Sequence, residues 1–447
     1  MNLPQHIAFH LQHWLTKILA NRALAIDLLG SASLRFIGAT SMFALSLLVS
    51  KRFGSEDAGF FFLSLAIVTF LASFSRIGLD GTILKVVACA YSEGNHKKCG
   101  QVVKESLILV LLFSSLVAST LFGSAGFIAN SVFGMPNLAD ILKMMSPSII
   151  GIAGCTIVAM GLQGLRNTKS AIFTENIVCN ILAIAFLSTL ATSALPMAAA
   201  FSLSSFFAFT IGSFLYFRKF LDHQPSHTVD YRELRSSCLP LWVVMLMTNL
   251  TQHSGQFAAG VYADAEQVAF LAVAQRISML TSLVLMVVNL VIAPRLAVLF
   301  ANDDHKALEA LSRFSTRLMI IFALPMLLVM LLYPHVLLSF FGEEFIAGST
   351  YLRLFALAQF VNVCTGPVGY LLVMSGNERA FRDTMLISGF LSVLLAFGLS
   401  NLYGATGSAI ATSIALSVQN LSAAWWVKQK LGFNILRFLT PFQASKA

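Results

Sequence analysis

Two arginines stand where a charge is expensive. Arg35 and Arg276 each fall well inside a long apolar run. An Arg at the centre of a membrane helix costs about 2.5 kcal/mol or more on insertion scales, so it faces the bundle interior or a water-filled cavity. At 1.5 Å per residue, Arg35 lies about ten residues, ~15 Å, from one end of its run, and Arg276 about seven residues, ~10 Å, from an end of its own. A guanidinium presents paired donors that match phosphate oxygens. Anion binding is the chemistry these two would bring. The alternative is a structural pairing with a carboxylate or with helix carbonyls.

A second set is neutral. Asn249, Gln252 and Gln256, with His253, recur at spacings of three, four and seven in an otherwise apolar run, flanked by Thr248 and Thr251. That spacing puts them on one helical face. Such a stripe suits a cavity wall that meets sugar hydroxyls; interhelical hydrogen bonding is the competing role. A third set is charged: Asp27, Arg76, Asp80 and Glu175. These are the candidates for a gate or for ion coupling, and structural ion pairs at the membrane rim are the simpler reading. Gln275, Asn289, Gln359, Asn362, Asn176 and Asn180 read as packing contacts.

The elements that must position these residues are membrane helices. Of the 447 residues, 57% are hydrophobic and 11% charged, and the mean hydropathy is +0.80; a soluble domain is about 25% charged. Runs long enough to span a bilayer occur at 25–50, 58–76, 105–124, 140–164, 171–191, 195–217, 238–260, 269–294, 316–333, 352–374, 383–402 and 404–427. The expectation is therefore an all-α polytopic membrane protein of twelve spans. All but eight of the 29 Lys and Arg residues lie in the N-terminal tail, the even-numbered connections and the C-terminal tail. The eight are Arg35, Lys51, Arg52, Arg76, Lys143, Arg276, Arg317 and Arg353, of which Arg76 and Arg317 sit at span ends bordering even-numbered connections. By the positive-inside rule this alternation puts both termini in the cytoplasm.

The second half repeats the first at an offset of 208–210 residues. Phe53 to Asp57 matches Tyr262 to Glu266, Phe133-Gly134 matches Phe341-Gly342, Arg166 to Lys169 matches Gly376 to Arg379, and Arg218 matches Lys428. An even number of spans per half gives both halves one orientation, so an axis along the membrane normal relates them, as in parallel-repeat transporters. The expected organisation is an interfacial helix at 1–24, an N lobe at 25–217, a cytoplasmic linker at 218–237, a C lobe at 238–427 and a cytoplasmic tail at 428–447. Ile7, Leu11, Trp14, Leu15 and Ile18 supply the apolar face of the interfacial helix.

Chemistry that requires its own signature is missing from the sequence. No phosphate-binding loop, His-Glu-x-x-His zinc motif or Cys/His ligand cluster occurs. The six cysteines form no C-x-x-C pair and read as small apolar residues. No catalytic residue, metal or cofactor is expected, and the chain is read as no enzyme. The net charge of +9 is spread over loops that orient helices and touch anionic lipid, so nucleic acid is not an expected partner. Pro325 and Pro367 would permit kinks inside two spans.

Several segments resemble the bacterial polysaccharide flippases of the multidrug/oligosaccharidyl-lipid/polysaccharide exporter superfamily, and within it the Wzx-type O-antigen flippases. Arg52-Phe53-Gly54-Ser55-Glu56-Asp57-Ala58-Gly59-Phe60 resembles the R-x-L-G-x-E-x-x-G-x-Y stretch of that family, with Phe53 in place of the Leu. Arg76 to Asp80, Ala274 to Ile277, Asn289 to Pro294 and Gly376-Asn377-Glu378 carry the rest, while Ala269-Phe270 departs from a Tyr-containing stretch. The resemblance implies a V-shaped, two-lobed fold in the bacterial inner membrane. It implies flipping of an undecaprenyl-diphosphate-linked oligosaccharide, an O-antigen or similar lipopolysaccharide repeat unit, by alternating access through a cationic cavity. Arg35 and Arg276 fit that cavity. The expected partners are the lipid-linked oligosaccharide, membrane lipids and a coupling proton or cation, with the chain a monomer and polysaccharide-assembly proteins its candidate associates. A cation-coupled multidrug antiporter of the same superfamily is the alternative. A membrane-embedded glycosyltransferase would need a long catalytic loop, which the sequence lacks.

Overall fold

In lipid, every backbone N–H and C=O must find its partner within the protein, which leaves the helix as the economical solution for apolar runs of this length. The computed structural model describes residues 22–189, 193–220 and 231–436, with backbone alone at 22–29, 189, 231–237 and 290–291. Among them no strand forms. The N-terminal segment up to residue 21, the linker at 221–230 and the tail from 437 lie outside the described residues.

The first half contains α1 (22–53), α2 (55–75), α3 (Leu79–Ser92), α4 (His96–Phe127), α5 (Leu138–Met145), α6 (Ser148–Gly164), α7 (168–189) and α8 (Ala194–Phe217). The second contains α9 (Tyr231–Tyr262), α10 (Ala265–Met279), α11 (Thr281–Ala301), α12 (His305–Leu332), α13 (Pro334–Ser339), α14 (Ser349–Thr365), α15 (Val368–Met374), α16 (378–403) and α17 (404–431). By length and apolarity, eight described stretches can cross a membrane, or nine if the bent pair Glu343–Thr365 and Val368–Met374 is one span. Two of the eight, Gly30–Ser75 and Glu378–Leu431, each hold two helices joined at a glycine. Gly54 (φ 78°) and Gly404 (φ 56°) occupy the left-handed region, which a side chain would resist. α9 is not among the eight, because Asn249, Gln252, His253 and Gln256 interrupt its apolar run.

Several details depart from the sequence reading. α3 was not anticipated as a helix; it buries Leu79, Ile83, Val87 and Ala90 while Lys85 and Cys89 stay exposed. The fourth expected span divides at Ser146–Pro147 into α5 and α6. The eighth runs longer than expected, from Ala265 to Ala301, with a turn at Leu280 between α10 and α11. Pro367 sits at the break between α14 and α15, bent by 42°, whereas α12 continues through Pro325.

Helices of each half pack chiefly on one another, α4, α6 and α8 in the first half, and α9, α14, α16 and α17 in the second. Small residues make this close: a Cβ on Gly151 would strike Ser205 and one on Gly255 would strike Thr412. The two lobes meet along α1 and α2 against α9 and α10. We call the end of the bundle that carries α3 and the connections at 165–167 and 375–377 the basic end. At the other end, the Ser55 amide donates to the Glu344 carboxylate at 3.1 Å, and the Phe43 and Phe341 rings meet edge-on at 5.2 Å. At the basic end, Trp242 Nε1 donates to the Phe74 carbonyl at 3.0 Å, and Thr82 Oγ1 lies 3.3 Å from Cys238 Sγ. Large apolar side chains such as Leu112 and Phe390 point outward, as a lipid-facing surface requires.

Candidate functional site

A cavity of about 310 Å³ opens among α1, α2, α6, α7 and α8 of the first lobe. Its polar lining includes Arg76, Glu175, Asn176 and Asn180, and a further cation, Arg276, enters from α10 of the second lobe. Glu175 is delivered by a local irregularity. Residues Phe173–Val178 of α7 form a π-helical turn; such bulges are rare and concentrate at functional sites.

Arg276 belongs to one lobe and is held by the other. Its Nη1 donates to the Ser46 hydroxyl of α1, and its guanidinium carbon lies 4.1 Å from the centroid of the Phe62 ring of α2. An arginine over an aromatic face, away from water, gains about 2 kcal/mol. That gain offsets part of the cost of burying the charge, and it explains how Arg276 sits at membrane depth with no carboxylate bonded to it among the described residues.

Arg76 closes the cavity toward the basic end. Its Nε donates to Asp80 Oδ2 at 3.0 Å, an ion pair whose side chains are only 11% and 4% exposed. Its Nη2 donates to Ser73 Oγ at 3.1 Å. The same hydroxyl accepts from Asn249 Nδ2 of α9 at 3.0 Å, so one serine joins an ion pair in the first lobe to an amide in the second. Glu175 lies within electrostatic range of Arg76, Arg35 and Asp80. Arg35 of α1 stands outside the cavity lining, and its buried Nε has no hydrogen-bond partner among the described residues.

The stripe on α9 is divided by its surroundings. Asn249 faces α2 through Ser73. Gln252 is exposed, and its carbonyl accepts from Gln275 Nε2 at 2.8 Å. Gln256 is buried, with Oε1 3.4 Å from His253 Nδ1. Asp27 falls in α1 where only the backbone is described. Sequence spacing gave no sign of Ser46, Phe62 or Ser73 as partners of the buried cations, since each is an ordinary residue of an apolar helix. Asn176 and Asn180, read as packing residues, line the cavity. Among the described residues, no three His, Cys, Asp or Glu side chains gather as a metal ion would need.

Comparison with known proteins gives the arrangement a family. A profile described as polysaccharide biosynthesis protein matches residues 39–300, and one described as MatE matches 240–402. By sequence alone no curated protein matches. Among solved structures, an inward-facing multidrug-resistance transporter of the MATE family superposes with a TM-score of 0.74 at 14% identity, over 93% of this chain and all of the other. The lipid II flippase MurJ in an inward closed conformation gives 0.71 at 18% identity, over 93% and 91%. A transporter of the same superfamily from Pyrococcus furiosus, noted for reversed polarity of its binding pocket, gives 0.65 at 15% identity, over 92% and 96%. At these identities the structures establish the fold alone, an all-α multi-pass membrane bundle. The first profile covers more than half the chain, which therefore belongs to the polysaccharide biosynthesis protein family.

Proposed function

We propose that the chain is a flippase, not an enzyme, that carries an undecaprenyl-diphosphate-linked oligosaccharide from the cytoplasmic to the outer leaflet of the bacterial inner membrane. The carrying observation is the Arg276 guanidinium in the cavity lining, bonded to no carboxylate among the described residues, whereas Arg76 is ion-paired with Asp80 and Glu175 is the one carboxylate among the described lining residues. A buried guanidinium there suits a lipid-linked diphosphate, whose charged head must cross a low-dielectric barrier. Arg276 and Arg35 hold the diphosphate, and the α9 stripe of Asn249, Gln252 and Gln256 meets the sugars. The basic end faces the cytoplasm, with both termini there. The lobes alternate between openings to the two sides, and the chain acts as a monomer alongside the proteins that assemble the polysaccharide.

A second reading, a cation-coupled multidrug antiporter, is favoured by the MatE match and by a carboxylate at membrane depth. Cells lacking the chain separate the two. The flippase reading expects lipid-linked oligosaccharide to accumulate on the cytoplasmic leaflet and surface polysaccharide to fall, with drug susceptibility unchanged. Normal surface polysaccharide with heightened sensitivity to lipophilic cations would favour the antiporter.

A further inference from the structure

We propose that a second cavity, between the lobes at the end opposite the basic one, binds one acyl chain of an anionic phospholipid whose phosphate meets Lys51. The site is independent of which molecule the chain carries.

The cavity holds about 360 Å³, a volume within the range of ligand sites. The first lobe walls it with Phe43, Leu47 and Lys51 of α1. The facing wall comes from the second lobe and includes Ile277 of α10, Met330 of α12, Leu337 of α13 and Phe340 just beyond it. A chain seated there touches both lobes. The cavity is separate from the polar one: Arg276 lines that one, its neighbour Ile277 lines this one, and no described residue lines both.

Apart from Lys51, every described lining residue is apolar. A buried water needs polar partners, so a cavity lined this way suits hydrocarbon and not water or sugar. Phe340 at its edge is 57% exposed, which leaves an entrance from the surrounding lipid.

Lys51 selects the head group. Four cations stand at this end against the charge alternation of the chain: Lys51, Arg52, Lys143 and Arg353. Three are engaged by protein. Arg52 donates to the Leu187 carbonyl, Lys143 pairs with Asp140 at 3.1 Å, and Arg353 donates to the Leu331 carbonyl at 3.2 Å. Among the described residues, the Lys51 side chain alone of the four has neither an ion pair nor a hydrogen bond. Lys51 is exposed and lies just before the break at Gly54. A lysine at a helix end lays its stem on apolar surface and carries its ammonium to the head-group level. A phosphate at that level, with one acyl chain beneath it, satisfies the charge and fills the cavity together. The chain of a transported prenyl lipid has similar chemistry, but its charged head belongs at the depth of Arg276, below the level of Lys51.

The test uses the full-length protein in nanodiscs and brominated lipids, which quench tryptophan on contact. Phe340→Trp sets a reporter at the cavity entrance, and the unaltered chain supplies the background of the native tryptophans. Brominated phosphatidylglycerol should be preferred to brominated phosphatidylcholine about 5-fold at the reporter, the ratio given by about 1 kcal/mol for one lysine near an anionic lipid. Lys51→Gln should abolish the preference. Lys51→Arg should keep it, which separates loss of charge from misfolding. Leu47→Phe with Leu337→Phe, which fills the cavity and leaves Lys51 in place, should also abolish it. Equal quenching by the two lipids in the parent, or an unchanged preference in Lys51→Gln, would overturn the site. A preference that survives cavity filling would mean attraction at the surface with no seated chain, and would overturn it too. Displacement of brominated phosphatidylglycerol by undecaprenyl phosphate at a lower mole fraction than by unlabelled phosphatidylglycerol would give the cavity to the transported lipid and overturn the assignment to a phospholipid. No transport is measured, so failure here leaves the proposed flippase activity untouched.

Discussion

Arg276 of the second lobe donates to the hydroxyl of Ser46 in the first, so a C-lobe cation is fixed by N-lobe groups at membrane depth. Phe62 completes the seat, 4.1 Å from the guanidinium carbon. In the proposed cycle, separation of the lobes at this depth breaks this contact. In a double-mutant cycle on thermal stability in detergent, Phe62→Leu and Arg276→Ala should each destabilise, with a coupling of about 1 kcal/mol. Additive effects would show that the ring does not hold the cation.

The end opposite the basic one is closed by a carboxylate on a helix N-terminus. Glu344 accepts from the Ser55 amide, the first N–H after the break at Gly54. Loss of a helix-capping oxygen costs about 1 kcal/mol, roughly a 5-fold change in equilibrium. Glu344→Ala should speed labelling of a Ser46→Cys reporter by an impermeant maleimide from outside about 5-fold on that basis. An unchanged rate would mean that the aromatic contact of Phe43 with Phe341 closes this end unaided.

Topology follows from charge placement and is open to a direct check. A single cysteine at Ala263 should react with impermeant maleimide in intact cells, because the α9–α10 connection lies at the end opposite the basic one. Labelling seen only after permeabilisation would invert the orientation.

Asn249 and Gln252 lie on one helical face and meet different neighbours. Replacing both with Leu removes the bond to Ser73 and the exposed amide. Intramembrane hydrogen bonds are worth about 0.6 kcal/mol on average, so the protein should stay inserted while surface polysaccharide output falls. Normal output per molecule would reduce the stripe to packing.

The membrane helices were legible because lipid leaves a long apolar run few alternatives. α3 was not legible, since Asp80 and Lys85 break the apolar run while Ile83, Val87 and Ala90 still recur at helical spacing. Arg35 and Arg276 stood out by their cost, but nothing in their spacing told them apart. The fold does so: Arg276 lines the cavity and Arg35 stands outside its lining. Arg76, Asp80 and Glu175 could be read as charged residues near a rim. Only the π-helical turn in α7 and the approach of α2 to α9 connect them to a cavity and a seam. Such relations join residues far apart in sequence, where periodicity carries no information.

In the proposed flippase, fixed guanidinium groups hold an anionic lipid-linked substrate. The most direct measurement is surface polysaccharide per membrane-inserted molecule for Ala, Lys and Gln at Arg35 and at Arg276. Lys keeps the charge and loses the paired donors, so output should be partial with Lys and nearly lost with Ala and Gln. Wild-type output per molecule from both Ala variants would contradict it.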